Sequence, residues 1–208
     1  MDTALAMARS GLGTTAPNPS VGCVLVKDGK IVGTGVTAPG GRPHAERSAL
    51  DRAGTAASGA TAYVTLEPCA HFGQTPPCAD ALIEAGIARV VIACSDPDPR
   101  TAGQGIEKLT RAGIAVETGL RCKEAETLHA GFFHCIGRGW PLVAIDANAA
   151  GYDLAVERFD EADVLTALKS LGASGITRLR LVPGSPAAQA AQKAHLVDVE
   201  AAPINTRR

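Results

Sequence analysis

One histidine and two cysteines in this chain are spaced to hold a single zinc ion. They are His44 in Pro43-His44-Ala45-Glu46, Cys69 in Pro68-Cys69, and Cys78 after Pro77. One imidazole and two thiolates leave the fourth position of a tetrahedral zinc open to water, as in catalytic rather than closed structural sites. Glu46, two residues after the histidine, can carry protons beside such a metal. Eight residues, Ala70 through Pro77, separate the two thiols.

The elements must bring these groups together. On a regular helix, residues two apart diverge by roughly 200°. His44 and Glu46 therefore converge on one metal only if it sits over a helix end, and Pro43 is expected in the first turn of that helix. Cys78 is expected to open a second helix, Ala79 to Ala85, closed by Gly86. Two helix N-termini would then offset part of the negative charge of two thiolates and Glu46. Taken singly, a His-x-Glu is an exposed helix start and two cysteines nine apart are buried apolar residues. The conjunction, at two strand-to-helix junctions with a proline before each thiol, matches the H-x-E…P-C…C pattern of nucleobase deaminases. A structural zinc knot would need a fourth ligand, for which His71 is the nearest candidate.

The chain of 208 residues allows one good domain and something smaller. A net charge of −1 leaves no electrostatic footprint for nucleic acid. Six cysteines read as thiols, not a disulfide framework, with Cys23 and Cys94 as buried small hydrophobes. There is no signal-peptide-like apolar run and no membrane-spanning stretch, so the expected compartment is the cytoplasm. A helix is expected from Asp2 to about Ser10, then a loop over Thr14 to Pro19. A strand from Val21 to Val26 turns at Asp28-Gly29 into Ile31-Val32-Gly33. Further strands are expected at 62–66, 89–93 and 114–116. Further helices are expected at 106–112 and 124–133. A hairpin followed by β–α alternation predicts a mixed sheet with helices on both faces, a three-layer α/β/α sandwich.

Four segments carry a resemblance. They are Pro17-Asn18-Pro19-Ser20-Val21-Gly22, His44-Ala45-Glu46, the run from Thr65 to Cys78, and Ser95-Asp96-Pro97-Asp98-Pro99. Through them residues 1–141 resemble the deaminase domain of the bifunctional riboflavin-biosynthesis deaminase/reductase family. The long insertion between the cysteines is itself a mark of that family. The resemblance implies a cytidine-deaminase-like fold. It also implies hydrolytic deamination of 2,5-diamino-6-ribosylamino-4(3H)-pyrimidinone 5′-phosphate. His44, Cys69 and Cys78 then resemble zinc ligands. Glu46 resembles the shuttle that moves a proton from water to the ring nitrogen and the leaving amine. Asn18, His71 and Asp96 resemble substrate-pocket residues, although Asn18 and Asp96 are also ordinary turn formers.

The chain departs from that pattern in places. Thr37 stands where the family usually has a histidine, and Gln74 where it usually has a basic residue suited to the substrate phosphate, with Arg42 or Arg100 as nearby substitutes. Gly137 to Ile145 resembles the opening of the family's NADPH-using reductase domain. There Asp146 replaces an expected lysine and Pro183-Gly184-Ser185 an acidic-Gly-Gly turn. Residues 142–208 number 67, too few for a dinucleotide-binding domain of ordinary size. They are expected to be a small α/β remnant of one β-α-β-like unit, or a partly ordered tail, with no NADPH bound. The partners expected are a small pyrimidine ribotide and no nucleic acid or membrane, with a homo-oligomer left open. The competing readings are a deaminase of another small base, of guanine or cytosine type, and a non-catalytic zinc-bearing scaffold.

Overall fold

The computed structural model describes residues 1–73, 75–160 and 163–200. Gln74 and the Pro203-containing end, both singled out in the sequence, lie outside the described residues.

The alternation read from the sequence is present. Helix α1 (Asp2–Ser10) precedes the hairpin of β1 (Gly22–Lys27) and β2 (Lys30–Val36). Asp28 and Gly29 make the turn with φ of 51° and 73°, the positive values a two-residue hairpin turn requires. Then follow α2 (Ala45–Ala53), β3 (Thr61–Val64), α3 (Cys78–Glu84), β4 (Arg89–Ile92), α4 (Gln104–Arg111), β5 (Ala115–Thr118) and α5 (Cys122–Arg138). The sheet order is β2-β1-β3-β4-β5. Strand β1 runs antiparallel to β2 and β3, while β3, β4 and β5 are parallel.

Glycines set the two helical layers close to the hairpin. A Cβ at Gly22 would lie 2.0 Å from the Ala4 carbonyl oxygen of α1, and one at Gly35 would lie 2.0 Å from that of Ala45 in α2. Gly35 pairs with Cys23, the neighbour of Gly22, so the two glycines point to opposite faces. Helices α1 and α5 neighbour each other, and α2, α3 and α4 form the other row. One core fills the space between, from Leu5, Leu25 and Val64 to Leu82, Ile92 and Leu109.

Three expectations are corrected. Pro43 is not in the first turn of α2, because His44 is the N-cap and Pro43 precedes it. Helix α5 is longer than 124–133: it opens at Cys122 and runs on through His134, Cys135 and Ile136 to Arg138, because no breaker stops it before Gly139, whose φ of 81° ends it. The segment after it is more than one β-α-β unit. Four short strands, β6 (Leu142–Ile145), β7 (Leu154–Val156), β8 (Arg178–Leu181) and β9 (Val199–Glu200), form a parallel sheet in the order β7-β8-β6-β9. With α6 (Val164–Ala173) and α7 (Pro186–Lys193) it encloses its own apolar cluster of Val143, Leu168, Leu179, Leu181 and alanines of α7. No helix among the described residues is long and apolar enough to cross a membrane.

Candidate active site

Two strand-to-helix junctions meet at one end of the first sheet. His44 caps α2, Cys78 opens α3 with Pro77 as its N-cap, and Cys69 lies in the segment leaving β3. The ligand atoms of His44, Cys69 and Cys78 all lie within 4.8 Å of one another. His44 Nδ1 is 3.8 Å from Cys69 Sγ and 3.3 Å from Cys78 Sγ. A tetrahedral zinc with ordinary Zn–S and Zn–N bonds needs N and S about 3.6 Å apart, so the donor set fits the ion. The Cys78 backbone N–H donates to Cys69 Sγ at 3.3 Å. Hydrogen bonding from the Cys78 thiol, aided by His44 and this N–H, pulls Cys69 down to about 4. The same thiol–thiolate bond, together with burial, pushes Cys78 up. Sequence reasoning offered His71 as a fourth ligand for a closed site. Its Nδ1 instead pairs with Thr101 Oγ1 at 3.3 Å, and the cluster comprises three residues.

Glu46 lies in the first turn of α2, 4% exposed, and shares an open cleft with His44 and Cys69. Burial first, then the neighbouring Cys69 thiolate, push its carboxyl up to about 7. A cation at the cluster acts in the opposite direction. Asn18, His71 and Asp96 line the same cleft. Asn18 Nδ2 donates to the Gly41 carbonyl at 2.8 Å, which leaves its own carbonyl for a ligand. Asp96 is pushed up to about 6 by burial and accepts from the Asp98 N–H at 2.8 Å. Thr37 also faces the cleft, but its hydroxyl is engaged by the Val21 N–H at 2.9 Å.

Sequence reasoning missed what holds the far wall. Glu67, 3% exposed, accepts from the backbone N–H groups of Asp96, Gly103, Gly105 and Ile106 at 3.1 to 3.4 Å. One carboxylate thus ties the end of β3 to the loop carrying Asp96 and to the start of α4. Gly105 permits the approach, since a Cβ there would lie 2.1 Å from the Pro68 carbonyl oxygen. Asp98, Arg100, Thr101 and Phe132 complete the lining. Glu67 stands inside the quoted motif, but its type and spacing carry no sign of a four-donor anchor.

The family model for the cytidine and deoxycytidylate deaminase zinc-binding region matches residues 1–94. RibD of Escherichia coli strain K12 is 54% identical over 150 residues, covering 72% of this chain and 41% of that protein. The chain thus spans about two-fifths of the length of the first curated relatives it matches. A diaminohydroxyphosphoribosylamino-pyrimidine deaminase of Buchnera aphidicola is 52% identical over 141 residues, covering 68% of this chain and 96% of that protein. Among solved structures, Acinetobacter baumannii RibD superposes with TM-score 0.66 at 48% identity, over 74% of this chain and 41% of that one. The deaminase/reductase of Thermotoga maritima superposes with TM-score 0.83 at 26% identity, over 96% of this chain and 84% of that one. That likeness runs past α5 into the second sheet. A cytidine-deaminase-like sandwich, a zinc-type donor set at its helix starts, and a relative matched over nearly its whole length lead to one assignment: the chain belongs to the diaminohydroxyphosphoribosylamino-pyrimidine deaminase family of riboflavin biosynthesis.

Proposed function

We propose that the chain is a zinc-dependent hydrolase that deaminates 2,5-diamino-6-ribosylamino-4(3H)-pyrimidinone 5′-phosphate to the 5-amino-uracil product and ammonia. The carrying observation is the three-donor cluster at two helix starts with a buried carboxylate, Glu46, in the same cleft. His44, Cys69 and Cys78 would hold the zinc, which supplies Lewis acidity that activates water at neutral pH. Glu46 accepts a proton as water attacks the amine-bearing ring carbon. It then protonates the ring nitrogen, takes the second proton from the newly added hydroxyl and passes it to the amine, so that the C–N bond breaks with loss of ammonia and the carbonyl forms. Buried beside the donor cluster in the same cleft, its carboxylate can both accept and return a proton. Asn18 Oδ1 and Asp96, both lining the cleft, would orient the ring, with His71 hydrogen-bonded to Thr101 in the same wall. The test is an ammonia-release assay on the diaminopyrimidine ribotide, with cytidine and guanine as controls. Turnover of a control and not of the ribotide would move the assignment to another base.

For residues 142–208 we infer a reductase remnant that binds no NADPH. Asp146 is occupied with its own neighbours, accepting from Tyr152 Oη at 2.8 Å and from the Asn148 N–H at 2.9 Å. Ser185, in the place of the glycine turn, caps α7 by accepting from the Ala188 N–H. Fluorescence titration with NADPH checks this, and micromolar binding would overturn it.

A further inference from the structure

We propose that Arg42, braced by Thr75, forms the anion subsite that takes the substrate's 5′-phosphate. The assignment rests on the deaminase reading above. Its starting point is the charge lining the cleft. Four carboxylates face it, from Glu46, Glu67, Asp96 and Asp98, against two guanidinium groups, Arg42 and Arg100. A phosphate dianion entering such a cleft is repelled unless a cation is free to meet it.

Arg100 is already committed. Its Nε donates to both oxygens of Asp98, at 3.0 and 2.9 Å, and its Nη2 donates to Oδ2 at 2.5 Å. The Asp98 side chain is 7% exposed, so drawing Arg100 away toward a ligand would strand a buried carboxylate. That pair also holds Asp98 below the usual carboxylate range.

Arg42 is differently placed. Nη1 makes one hydrogen bond, to the neutral hydroxyl Oγ1 of Thr75 at 2.7 Å, and Arg42 enters no ion pair among the described residues. Nη2 lies against Gly73, 3.3 Å from where a Cβ would stand, so glycine leaves room beside the guanidinium. Among the described residues one hydrogen bond of five donors is spent, and the rest of the planar fork suits two phosphate oxygens at once. Location agrees with this. Arg42 is two residues before His44, and Thr75 belongs to the segment joining Cys69 to Cys78. The cation is thus fixed at the cleft rim by the two segments that carry the metal-type ligands. A ring seated against Glu46 would send its phosphoribosyl arm outward to that rim.

The experiment compares wild type with Arg42→Ala, Arg42→Gln, Arg42→Lys and Arg100→Ala, each checked for zinc content and for circular dichroism. Activity is measured on the ribotide and on its dephosphorylated riboside. Binding of ribose 5-phosphate to the zinc-loaded protein is measured by calorimetry, an arm that needs no turnover. Loss of a charge-assisted bidentate contact is expected to lower kcat/KM on the ribotide about 10- to 100-fold, through KM. The preference for ribotide over riboside should shrink by the same factor, and ribose 5-phosphate should bind more weakly. Arg42→Lys should recover part of both, and Arg42→Gln keeps a donor for Thr75 should alanine prove unstable. Unchanged ribose 5-phosphate affinity in Arg42→Ala and Arg42→Gln, or a larger loss of ribotide preference in Arg100→Ala, overturns the proposal. If wild type deaminates no ribotide yet binds ribose 5-phosphate through Arg42, the subsite stands and the deaminase reading falls.

Discussion

Glu46 combines three properties that rarely coincide by chance: it is buried, its carboxyl is raised to about 7, and it shares a cleft with a three-donor cluster. Glu46→Gln keeps the shape and removes the proton acceptor. We expect turnover to fall by at least about 10²–10⁴-fold, with one zinc per chain retained, since glutamate is not among the three donors. Metal analysis beside single-turnover ammonia release checks both halves. Cys69→Ser is the complement. It exchanges the soft ligand for a poor one, so zinc content and activity should fall together. Retained activity without zinc would sink the metal assignment. At this scale the triad and Glu46 were legible because residue type and spacing alone name them. Arg42 and Glu67 find their hydrogen-bond partners 29 to 39 residues away in sequence, Thr75 for the first and Asp96, Gly103, Gly105 and Ile106 for the second.

Helix starts, not helix faces, hold the site, so the elements that set those starts matter most. Gly35 lets α2 cross β2 at backbone contact, with the Ala45 carbonyl in the space a methyl group would need. Gly35→Ala should therefore push away the turn that carries His44, costing about 1–3 kcal/mol in urea unfolding and lowering zinc affinity. A lowered stability with unchanged zinc affinity would show the helix start to be held elsewhere. Glu67 does for the opposite wall what Gly35 does for this one. Glu67→Ala leaves four N–H groups without their acceptor, two of them buried and two partly buried, and we expect a loss of about 2–4 kcal/mol. Asp96 would shift with the loop, so KM should rise beyond what stability alone accounts for. Most of these elements were legible because turn residues punctuate them: Asp28-Gly29 in the hairpin, Gly54 after α2, Gly86 after α3. The second sheet was legible only as a small α/β unit: Arg178-Leu179-Arg180-Leu181 of β8 alternates in burial, but β7 has three residues and β9 is only Val199–Glu200, too short to show a pattern.

Helix α5 joins the two sheets, and its middle carries the contact between them. Arg178 of β8 reaches across to the carbonyls of Thr127 and Leu128, at 3.1 and 2.9 Å, over Gly131. Asp153 Oδ2 holds the strand end by accepting from the backbone N–H groups of Thr177 and Arg178 and from the Thr177 hydroxyl. Beside this contact His129, 2% exposed, sets Nε2 3.3 Å from Thr65 Oγ1, and its Nδ1 has no partner among the described residues. Burial, with Arg178 nearby, pulls its pKa down to about 4. A charged imidazole here would be desolvated and would leave one N–H unsatisfied. The unfolded chain, with an ordinary histidine near 6.5, therefore binds the proton first as pH falls. The stabilisation from neutral His129 is fully present above about pH 6.5 and is lost as pH falls from there toward 4, by about 3 kcal/mol at most. Asp96 acts with the opposite sign. Its carboxyl is raised to about 6, so the folded state keeps that proton and gains stability as pH falls from about 6 toward 3.8. The two are separated by a difference measurement. Urea unfolding of wild type and His129→Gln between pH 4.5 and 8 should converge in slope above about 6.5 and diverge below it, with only wild type showing the histidine's acid loss. Parallel curves over the whole range would mean that the folded and unfolded chains bind the His129 proton equally, so that its imidazole sits beside α5 with no shift from an ordinary histidine.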